Sequence, residues 1–321
     1  MQNAHVDRAL TNISVSYLQD AKAFIADKVF PIIPVKRQSD IFYTYSKADF
    51  MRDEAQVRGA ASESAGGDYG VEASDPYYCR KHSFHKDVTP EERVNYDEPL
   101  DADKDATDFV TQKMLIRREM QWASNFFKAG VWGTDITGAE AAGEGQVIKW
   151  DLATSNPIKD ITDAAVKMAA ETGYKPNTLV LSPYAFYALK NHEDILDRIK
   201  YTQKGIVTED LLATLFEVDR VFVAWSVVNS AAKGADANVD FIYGKHALLC
   251  YSAPRPALRT PSAGYVFAWT GLEGAGAFGN RIVRLPMDML GLGVERIEGE
   301  MAFDVKKICG DLGVFFKDIV K

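Results

Sequence analysis

Apolar positions recur at helical spacing between residues 101 and 130, which predicts one long helix. Aspartates gather at the start of this segment and basic residues come later, an order that complements the helix dipole. About 25 residues at roughly 1.5 Å each would give nearly 40 Å, the length of a structural beam. The apolar face is predicted from these positions: Phe109, Ile116, Met120, Ala123 and Phe127.

Strand-like and helical segments then alternate from residue 156 to about residue 250, which predicts a small α/β unit. One of its helices begins after Ser182 and continues through the segment NHEDILDRIK. The side chains predicted to face inward in that segment are Ile195, Leu196 and Ile199. After about residue 250 the pattern predicts strands instead, in the runs HALLCYS, GYVFAWT, GNRIVRL and GEMAFDVKKI.

Residues 1–95 offer little that could form a core of their own. A short helical pattern from Val15 to Ile25 precedes FPIIPVKRQSDIFYTY, whose prolines favour an extended path. The glycine-rich segment VRGAASESAGGDYG lies between the strand-like runs IFYTYS and DPYYCRKHSFHKDV. This order predicts a long two-stranded hairpin with a flexible tip. Because an isolated hairpin is marginal in water, it must lean on another surface.

Composition narrows the class of protein. The net charge is −8, whereas a protein that wraps DNA through phosphate contacts is usually basic. The three cysteines are far apart and odd in number, which argues against a disulfide framework and fits a reducing compartment. The sequence shows no signal-peptide pattern and no apolar stretch near the ~20 residues that span a bilayer. We therefore expect the protein in the compartment where it is made, with no membrane partner.

The segment GLEGAGAFGN contains G-x-G-x-x-G, with glycines at positions 274, 276 and 279, and it follows an apolar run. A dinucleotide site needs the third glycine to open a helix, whose N-terminus binds the pyrophosphate. Here Gly279 leads into NRIVRLPM, which is strand-like. The sequence therefore predicts a tight connection between two strands and no nucleotide cofactor.

Other candidate chemistry is weak. Cys79, His82 and His85 are possible zinc ligands, but on a strand Cys79 and His85 face one side and His82 the other. The sequence contains neither G-x-S-x-G nor H-E-x-x-H. We therefore predict no catalytic residue, no cofactor and no metal, and hence no enzyme.

The order of parts carries a resemblance to a known family. An extended arm, a long hairpin, a long helix, a small α/β unit and closing strands follow one another, and a chain so built is incomplete alone. The segments FIADKVFPIIPVKRQSDIFYTYSKADFMRDEAQVR, WDLATSNPIKDITDAAVKMAAETGYKPNTLVLSPYAFYALKNHEDILDRI, FIYGKHALLCYSAP and GVFFKDIV make the chain resemble the major capsid proteins of tailed bacteriophages. Encapsulin nanocompartments share that fold. The resemblance implies an α+β chain that assembles into an icosahedral shell around double-stranded DNA.

The same resemblance implies a division of the chain into parts. The implied parts are an N-terminal arm (1–45), an extended loop (46–95), a peripheral domain with its spine helix (96–174), an axial domain (175–250) and closing strands of the peripheral domain (251–321). It implies self-association into pentamers and hexamers, with scaffolding, portal and decoration proteins as further partners and the DNA as non-specific content. The expected location is the virion, after assembly in the host bacterial cytoplasm.

Aromatic side chains on the hairpin are the predicted contacts between subunits, since only a neighbour was expected to bury them. These candidates are Phe42, Tyr43, Tyr45, Tyr77, Tyr78 and Phe84. Some relatives also cross-link a lysine of the extended loop to an asparagine in the closing strands. This sequence has no asparagine after Asn280, so its loop lysines at positions 47, 81 and 86 lack the expected partner.

Two other classes of protein remain as alternatives. An encapsulin-type shell would hold cargo enzymes, but encapsulins tend to have a cargo-binding helix where this chain has a proline-rich extended arm. A soluble α/β enzyme would need a phosphate loop that opens a helix, and the sequence offers none.

Overall fold

A computed structural model describes residues 18–73, 75–96, 101–199, 207–256, 260–271, 276 and 279–321. Within these residues the chain forms both helices and strands, as expected of an α+β protein. The helices are α1 (Lys47–Phe50), α2 (Pro90–Asn95), α3 (Ala102–Phe126), α4 (Pro157–Thr172), α5 (Pro183–Lys190), α6 (Glu193–Ile199) and α7 (Glu209–Leu215). In this part of the chain, no helix is long and apolar enough to cross a membrane.

The strands are short except for one near the C-terminus. They are β1 (Ile32–Val35), β2 (Ser39–Asp40), β3 (Tyr43–Tyr45), β4 (Val71–Ala73), β5 (Tyr77–Tyr78), β6 (Arg80–Val88), β7 (Thr134–Ala139), β8 (Gln146–Ile148), β9 (Thr178–Leu181), β10 (Arg220–Val223), β11 (Val227–Asn229), β12 (Val239–Phe241), β13 (Ala247–Cys250), β14 (Gly264–Trp269), β15 (Asn280–Pro286), β16 (Glu295–Lys307) and β17 (Gly313–Lys317). The four closing strands that the sequence predicts are β13 to β16.

Two larger sheets organise the molecule. In the first, β16 pairs antiparallel with β14 and β15 on one side and with β6 on the other, and β1 pairs parallel with β14 at the edge. Pro34 lies within β1, where an edge strand tolerates a missing N–H. The second sheet has the strand order β10, β9, β13, β17, β7, β8.

The sheets divide the chain differently from the predicted boundaries. The final strand, β17, pairs with β13 and β7 in the second sheet and not with the other closing strands in the first. The segment that holds β7, β8 and α4 also belongs with this second sheet, since Trp150, Ile161 and Met168 share one apolar core with Leu179 and Phe316. The parts before and after the α/β unit therefore contribute to its sheet.

The long helix forms as predicted, but its predicted face is only partly right, because Phe127 is buried and Ala123 packs against the core while two other residues of that face do not. Asp101 caps α3 by accepting hydrogen bonds from the N–H groups of Asp103 and Lys104. The helix ends at Phe126, before Gly130, where the Trp132 indole donates to the Phe126 carbonyl. The buried side chains of α3 are Ala102, Ala106, Val110, Glu119, Trp122 and Phe126, whereas Phe109 and Met120 are exposed.

The α3 face is set by tertiary packing. Ala102 and Ala106 let the first turns lie close to Val88 and Ile297, and Trp122 and Phe126 fill the core that both sheets share. The buried stripe therefore combines small side chains near the start of α3 with large aromatic ones near its end, and Phe109 and Met120 are left outside it.

The α/β unit contains a break that the sequence does not predict. The helix that begins after Ser182 stops at Lys190, and a second helix, α6, begins at Glu193. Ile195 and Ile199 are buried as predicted, but Leu196 is 42% exposed, which corrects its inward assignment. Near the N-terminus, residues 21–23 form a single turn of 3-10 helix, and Val15 lies outside the described residues.

Candidate subunit-contact surface

The predicted hairpin is present. Its first arm begins at β2, before residue 46, which is the start implied for the extended loop. β2 pairs with β5, and β3 pairs with β4, so the two arms pair with each other in small sheets of their own. The second arm continues through Cys79 into β6, which carries it into that sheet. Every residue from 51 to 73 is exposed, and we call this segment the tip. The chain itself therefore leaves much of the tip uncovered.

Two of the six candidate contact residues pack within their own chain. The ring of Tyr77 stacks on Phe267 at 4.4 Å between centroids, and Tyr77 is buried. The ring of Phe42 also contacts that of Phe267, at 5.9 Å between centroids, and Phe42 is partly buried. The reason given for choosing these two residues, that only a neighbour could bury them, is therefore wrong.

The other four candidates have exposed side chains. Tyr43 is 63% exposed and Tyr78 is 51% exposed, on opposite arms of the hairpin. Tyr45 lies in a cluster with Phe50 and Tyr69, with ring centroids 5.4 to 6.0 Å apart. The exposed residues Phe50 and Tyr69 were not among the predicted contacts. Tyr69 lies within the glycine-rich segment, and Phe50 lies just before it.

Phe84 is on β6, away from the hairpin, and its ring contacts that of Phe109 on α3 at 5.7 Å. Both rings are about two-fifths exposed, at 38% and 41%. Aromatic side chains are enriched at interfaces between proteins, so this exposed pair is a candidate contact. Exposed aromatic side chains therefore lie both on the hairpin and where β6 meets α3.

A buried carboxylate holds the root of the N-terminal segment against the body of the chain. Glu119 of α3 accepts hydrogen bonds from the N–H groups of Ile25 and Ala26, at 2.8 and 3.0 Å, and from the Tyr243 hydroxyl. Burial raises the pKa of Glu119, although these hydrogen bonds oppose the shift. Next to it, Arg118 pairs with Asp27 at 3.2 Å. One helix residue therefore joins three parts of the chain.

The possible zinc ligands do not converge. The buried Cys79 thiol donates to the Phe267 carbonyl, and burial, together with the charge of Asp304, raises its pKa to about 12. His85 is exposed, about 20 Å along the strand from Cys79. The described part of the chain has no group of three His, Cys, Asp or Glu side chains placed to hold a metal. That the protein needs no zinc stays a prediction.

The glycine motif lies between β14 and β15. Residues 272–275 and 277–278, which include Gly274, are outside the described residues. Gly279 has a φ of +67°, and a Cβ atom there would lie 2.6 Å from the Ala302 carbonyl oxygen. It leads directly into a strand and not into a helix, so the helix N-terminus that would bind a pyrophosphate does not follow it.

One pair of residues has the spacing of a nucleophile and its base. Nε2 of His192 lies 2.9 Å from Oγ of Ser155, and both residues are buried. However, Nδ1 of the same ring accepts the Asp194 N–H at 3.3 Å, so Nε2 carries the proton and donates to Ser155. The pair fixes the start of α6, and its tautomer is the wrong one for a base that activates serine.

The three loop lysines discussed above each have an acidic partner in their own chain. Lys47 pairs with Asp311, Lys81 with the buried Glu300, and Lys86 with Glu92. Each of these three side chains is therefore engaged by a carboxylate of its own chain.

Comparisons with known proteins identify the fold and the class of protein. No protein-family model matches the chain. The major capsid protein of Burkholderia phage BcepMu is 26% identical over 248 residues, which cover 77% of this chain and 76% of that protein. The major capsid protein of Pseudomonas phage JBD67 is 25% identical over an alignment of 335 residues, covering 98% of this chain and 97% of that protein.

Solved structures agree with these relatives. A phage-related protein from Bordetella bronchiseptica RB50 has a TM-score of 0.69 at 21% identity, over 92% of each chain. The capsid of cyanophage P-SCSP1u has a TM-score of 0.59 at 11% identity, over 99% of this chain and 91% of that one. The SrpI encapsulin of Synechococcus elongatus PCC 7942 has a TM-score of 0.53 at 11% identity, over 99% and 98% of the two chains. The fold is therefore that of phage capsid and encapsulin shell proteins.

Within that class, both curated relatives are phage major capsid proteins, which are structural proteins and not enzymes. The resemblance that the sequence carries is confirmed. The encapsulin alternative is weaker, because the two curated relatives are both phage major capsid proteins.

Proposed function

We propose that copies of this chain associate into pentamers and hexamers, which close into an icosahedral phage head around double-stranded DNA. The observation that carries this proposal is the match, over 98% of this chain, to a curated phage major capsid protein. The exposed tip and its aromatic side chains support it, because they are surfaces that the chain does not cover by itself.

The parts of the subunit follow from this proposal. Residues 1–45 act as the N-terminal arm, and the hairpin with its tip acts as the extended loop that reaches a neighbour. Helix α3 is the spine of the peripheral domain, and the residues around 175–250 form the axial domain. We add β7, β8, α4 and β17 to the axial unit, because they share its sheet or its apolar core.

The contact candidates divide into two groups with different roles. Tyr43, Tyr45, Tyr78 and Phe84 present exposed rings and are proposed to touch neighbouring subunits. Phe42 and Tyr77 act inside the chain instead, since their contacts with Phe267 anchor the base of the hairpin.

The other partners follow from the same assignment. Scaffolding, portal and decoration proteins are proposed to join the shell, which assembles in the host bacterial cytoplasm and ends in the virion. The net charge of −8 fits DNA as a non-specific content, because a strongly basic lining would bind phosphates tightly.

The second candidate function is an encapsulin-type compartment that holds cargo, and the shared fold favours it. Residues 18–45 weigh against it, because this described part of the arm has only one 3-10 turn and otherwise extended or irregular backbone. Copurification of a stoichiometric cargo enzyme with the shells would favour the compartment.

Sedimentation velocity of the purified chain tests self-association. We expect capsomers and megadalton particles, with the balance moving toward particles as concentration rises. Because closure can require a scaffolding protein, the test is repeated with the proteins encoded beside this gene. A monomer under both conditions would refute the proposed function.

A further inference from the structure

We propose that the tip of one subunit docks on a cationic strip of a second copy of this chain, formed by Arg80, Phe84, Phe109, Lys113 and Arg117. This contact rests on the proposed function. The strip would be the surface that receives the hairpin, and opposite charge and aromatic packing would hold the tip on it.

The strip lies along the junction of β6 and α3. Phe109, Lys113 and Arg117 are four residues apart, so they share one face of the helix. The Lys113 ammonium lies 5.3 Å from the centre of the Phe109 ring, which in turn contacts Phe84. Two exposed rings are thus bordered by cations, an arrangement suited to partners that are both acidic and aromatic.

The cations of the strip have no acidic partner of their own. Arg80, Lys113 and Arg117 are exposed and form no ion pair with any other described residue. Arg80 and Arg117 are also close enough to His82 that, after burial, their charges lower its pKa. Most other arginines of the first sheet, by contrast, are paired with carboxylates, as Arg296 is with Asp87.

The tip has the complementary composition. Residues 51–73 carry five carboxylates and two arginines, a net charge of −3. Arg52 is engaged by Asp49 and Glu54, whereas Asp53, Glu63 and Glu72 form no ion pair within the described residues. Exposed Phe50 and Tyr69 lie at the base of the tip and supply rings.

Geometry directs the tip to another copy. The hairpin arm from Val71 runs through β5 into β6, so Val71 and Phe84 lie about 40 Å apart along an extended path. The pairings of β2 with β5 and of β3 with β4 hold both arms together on that path. The ion pair between the hairpin base and the body joins Lys47 to Asp311, and Asp311 is not part of the strip. In addition, β6 pairs with β16 on one side only, among the described strands, so a neighbour has access to its other edge.

Charge exchange in the full-length chain tests the contact. One variant reverses the strip (Arg80→Glu, Lys113→Glu, Arg117→Glu), a second reverses the tip (Asp53→Lys, Glu63→Lys, Glu72→Lys), and a third combines both. We expect each one-sided reversal to lower the yield of closed shells about tenfold or more, and the combined variant to recover most of it. Lys167→Glu, an exposed site on α4, is the matched control and should assemble normally.

Each other result has a defined meaning. Normal assembly of both one-sided variants, or no recovery in the combined variant, overturns the contact. So does a strip variant that assembles normally but loses copurifying nucleic acid, since the strip would then bind nucleic acid. Failure of the wild-type chain to form shells under any condition refutes the proposed function itself, whereas failure limited to the reversed variants does not.

A second measurement covers the case in which a reversed variant fails to fold, as judged by circular dichroism. Wild-type shells are assembled from equal amounts of ¹⁴N- and ¹⁵N-labelled chain and treated with a carbodiimide, which joins a carboxylate to an adjacent amine. Mass spectrometry should find Lys113 linked to Glu63 or Asp53 in mixed-isotope pairs. Shells without such links overturn the proposal.

Discussion

The Tyr243 hydroxyl donates a 2.8 Å hydrogen bond to Oε1 of Glu119, across 124 positions of sequence. Both residues are almost completely buried. The same carboxylate receives the N–H groups of Ile25 and Ala26, so it joins the root of the N-terminal segment, the long helix and the segment before β13. A carboxylate with three donors is well satisfied, and its loss leaves buried donors without partners.

Replacing Glu119 with Gln should therefore destabilise the folded subunit. The amide has one acceptor oxygen, and its NH₂ group must face N–H donors, so at least one buried donor loses its partner. We expect the free energy of unfolding to fall by about 1–3 kcal/mol, measured by urea denaturation of capsomers. Glu171→Gln, on the exposed side of α4, is the control and should change it by less than about 0.5 kcal/mol. Equal stability of the two variants would contradict this role of Glu119.

Stability should also depend on pH through Glu119. Burial raises its folded-state pKa above the ordinary value of 4.5, so between these two values only the unfolded chain has lost the proton. The contribution of Glu119 to the free energy of unfolding is fully present below pH 4.5, and it declines as pH rises through the pKa of the folded state. Tyr243, Arg118 and Asp27 face this group and are unchanged in the Gln variant.

The measurement is the difference in free energy of unfolding between wild type and Glu119→Gln, followed from about pH 4 to about pH 8. Taking the difference cancels the other titrating groups to first order. We expect the wild-type advantage to be greatest at the acidic end. An advantage that grows with pH would show that the hydrogen bonds outweigh burial and lower the pKa.

Deleting residues 60–69 should leave the subunit folded and block or reduce shell closure. All ten residues are exposed, and the strand pairs of the hairpin lie outside the deletion. Circular dichroism should be unchanged, whereas electron microscopy should show few closed particles. Hydrogen exchange along the tip, residues 51–73, should be fast in wild-type capsomers and slower in shells. Normal assembly, together with unchanged exchange, would mean that the hairpin is not a contact between subunits.

Mature shells should hold together without covalent links between subunits. The sequence has no asparagine beyond position 280, and Lys47, Lys81 and Lys86 are ion-paired within the chain. Boiled, reduced particles should run on a denaturing gel as one band near the chain mass of 35.6 kDa. A ladder of multimers that resists reductant would show that another acceptor is used.

Zinc should be absent from washed shells in stoichiometric amounts. Cys79 is a buried, protonated thiol with a pKa of about 12, and His85 is far from it on the same strand. Elemental analysis of wild type and Cys79→Ser tests this point. One zinc per chain that disappears in the variant would overturn our interpretation of these residues.

Local signals in the sequence predicted most individual elements. The Asn156 cap and the left-handed Gly173 bound α4, and both act through neighbouring backbone groups. The closing strands were also recognisable, as short runs rich in apolar residues. These features depend on contacts within a few residues of each other, which is why the sequence reveals them.

Long-range packing produced what the sequence did not predict. Phe267 covers Tyr77 from 190 positions away, so a ring that looked free is buried. Glu119 has the appearance of a surface residue until the donors of Ile25 and Tyr243 are brought to it. The exposed strip was hidden for the same reason, since Phe109 fits a helical apolar pattern but the core takes Ala106 and Val110 instead. Which face of an element is buried depends on its tertiary neighbours, and these are not encoded in its own periodicity.

Cryo-electron microscopy of particles assembled from the purified chain, with its neighbouring phage proteins where required, tests the central claim most directly. We expect closed icosahedral shells in which every subunit has this fold and the tip of each subunit lies on an adjacent subunit. Particles without icosahedral order, or a chain that stays monomeric under all these conditions, would contradict it.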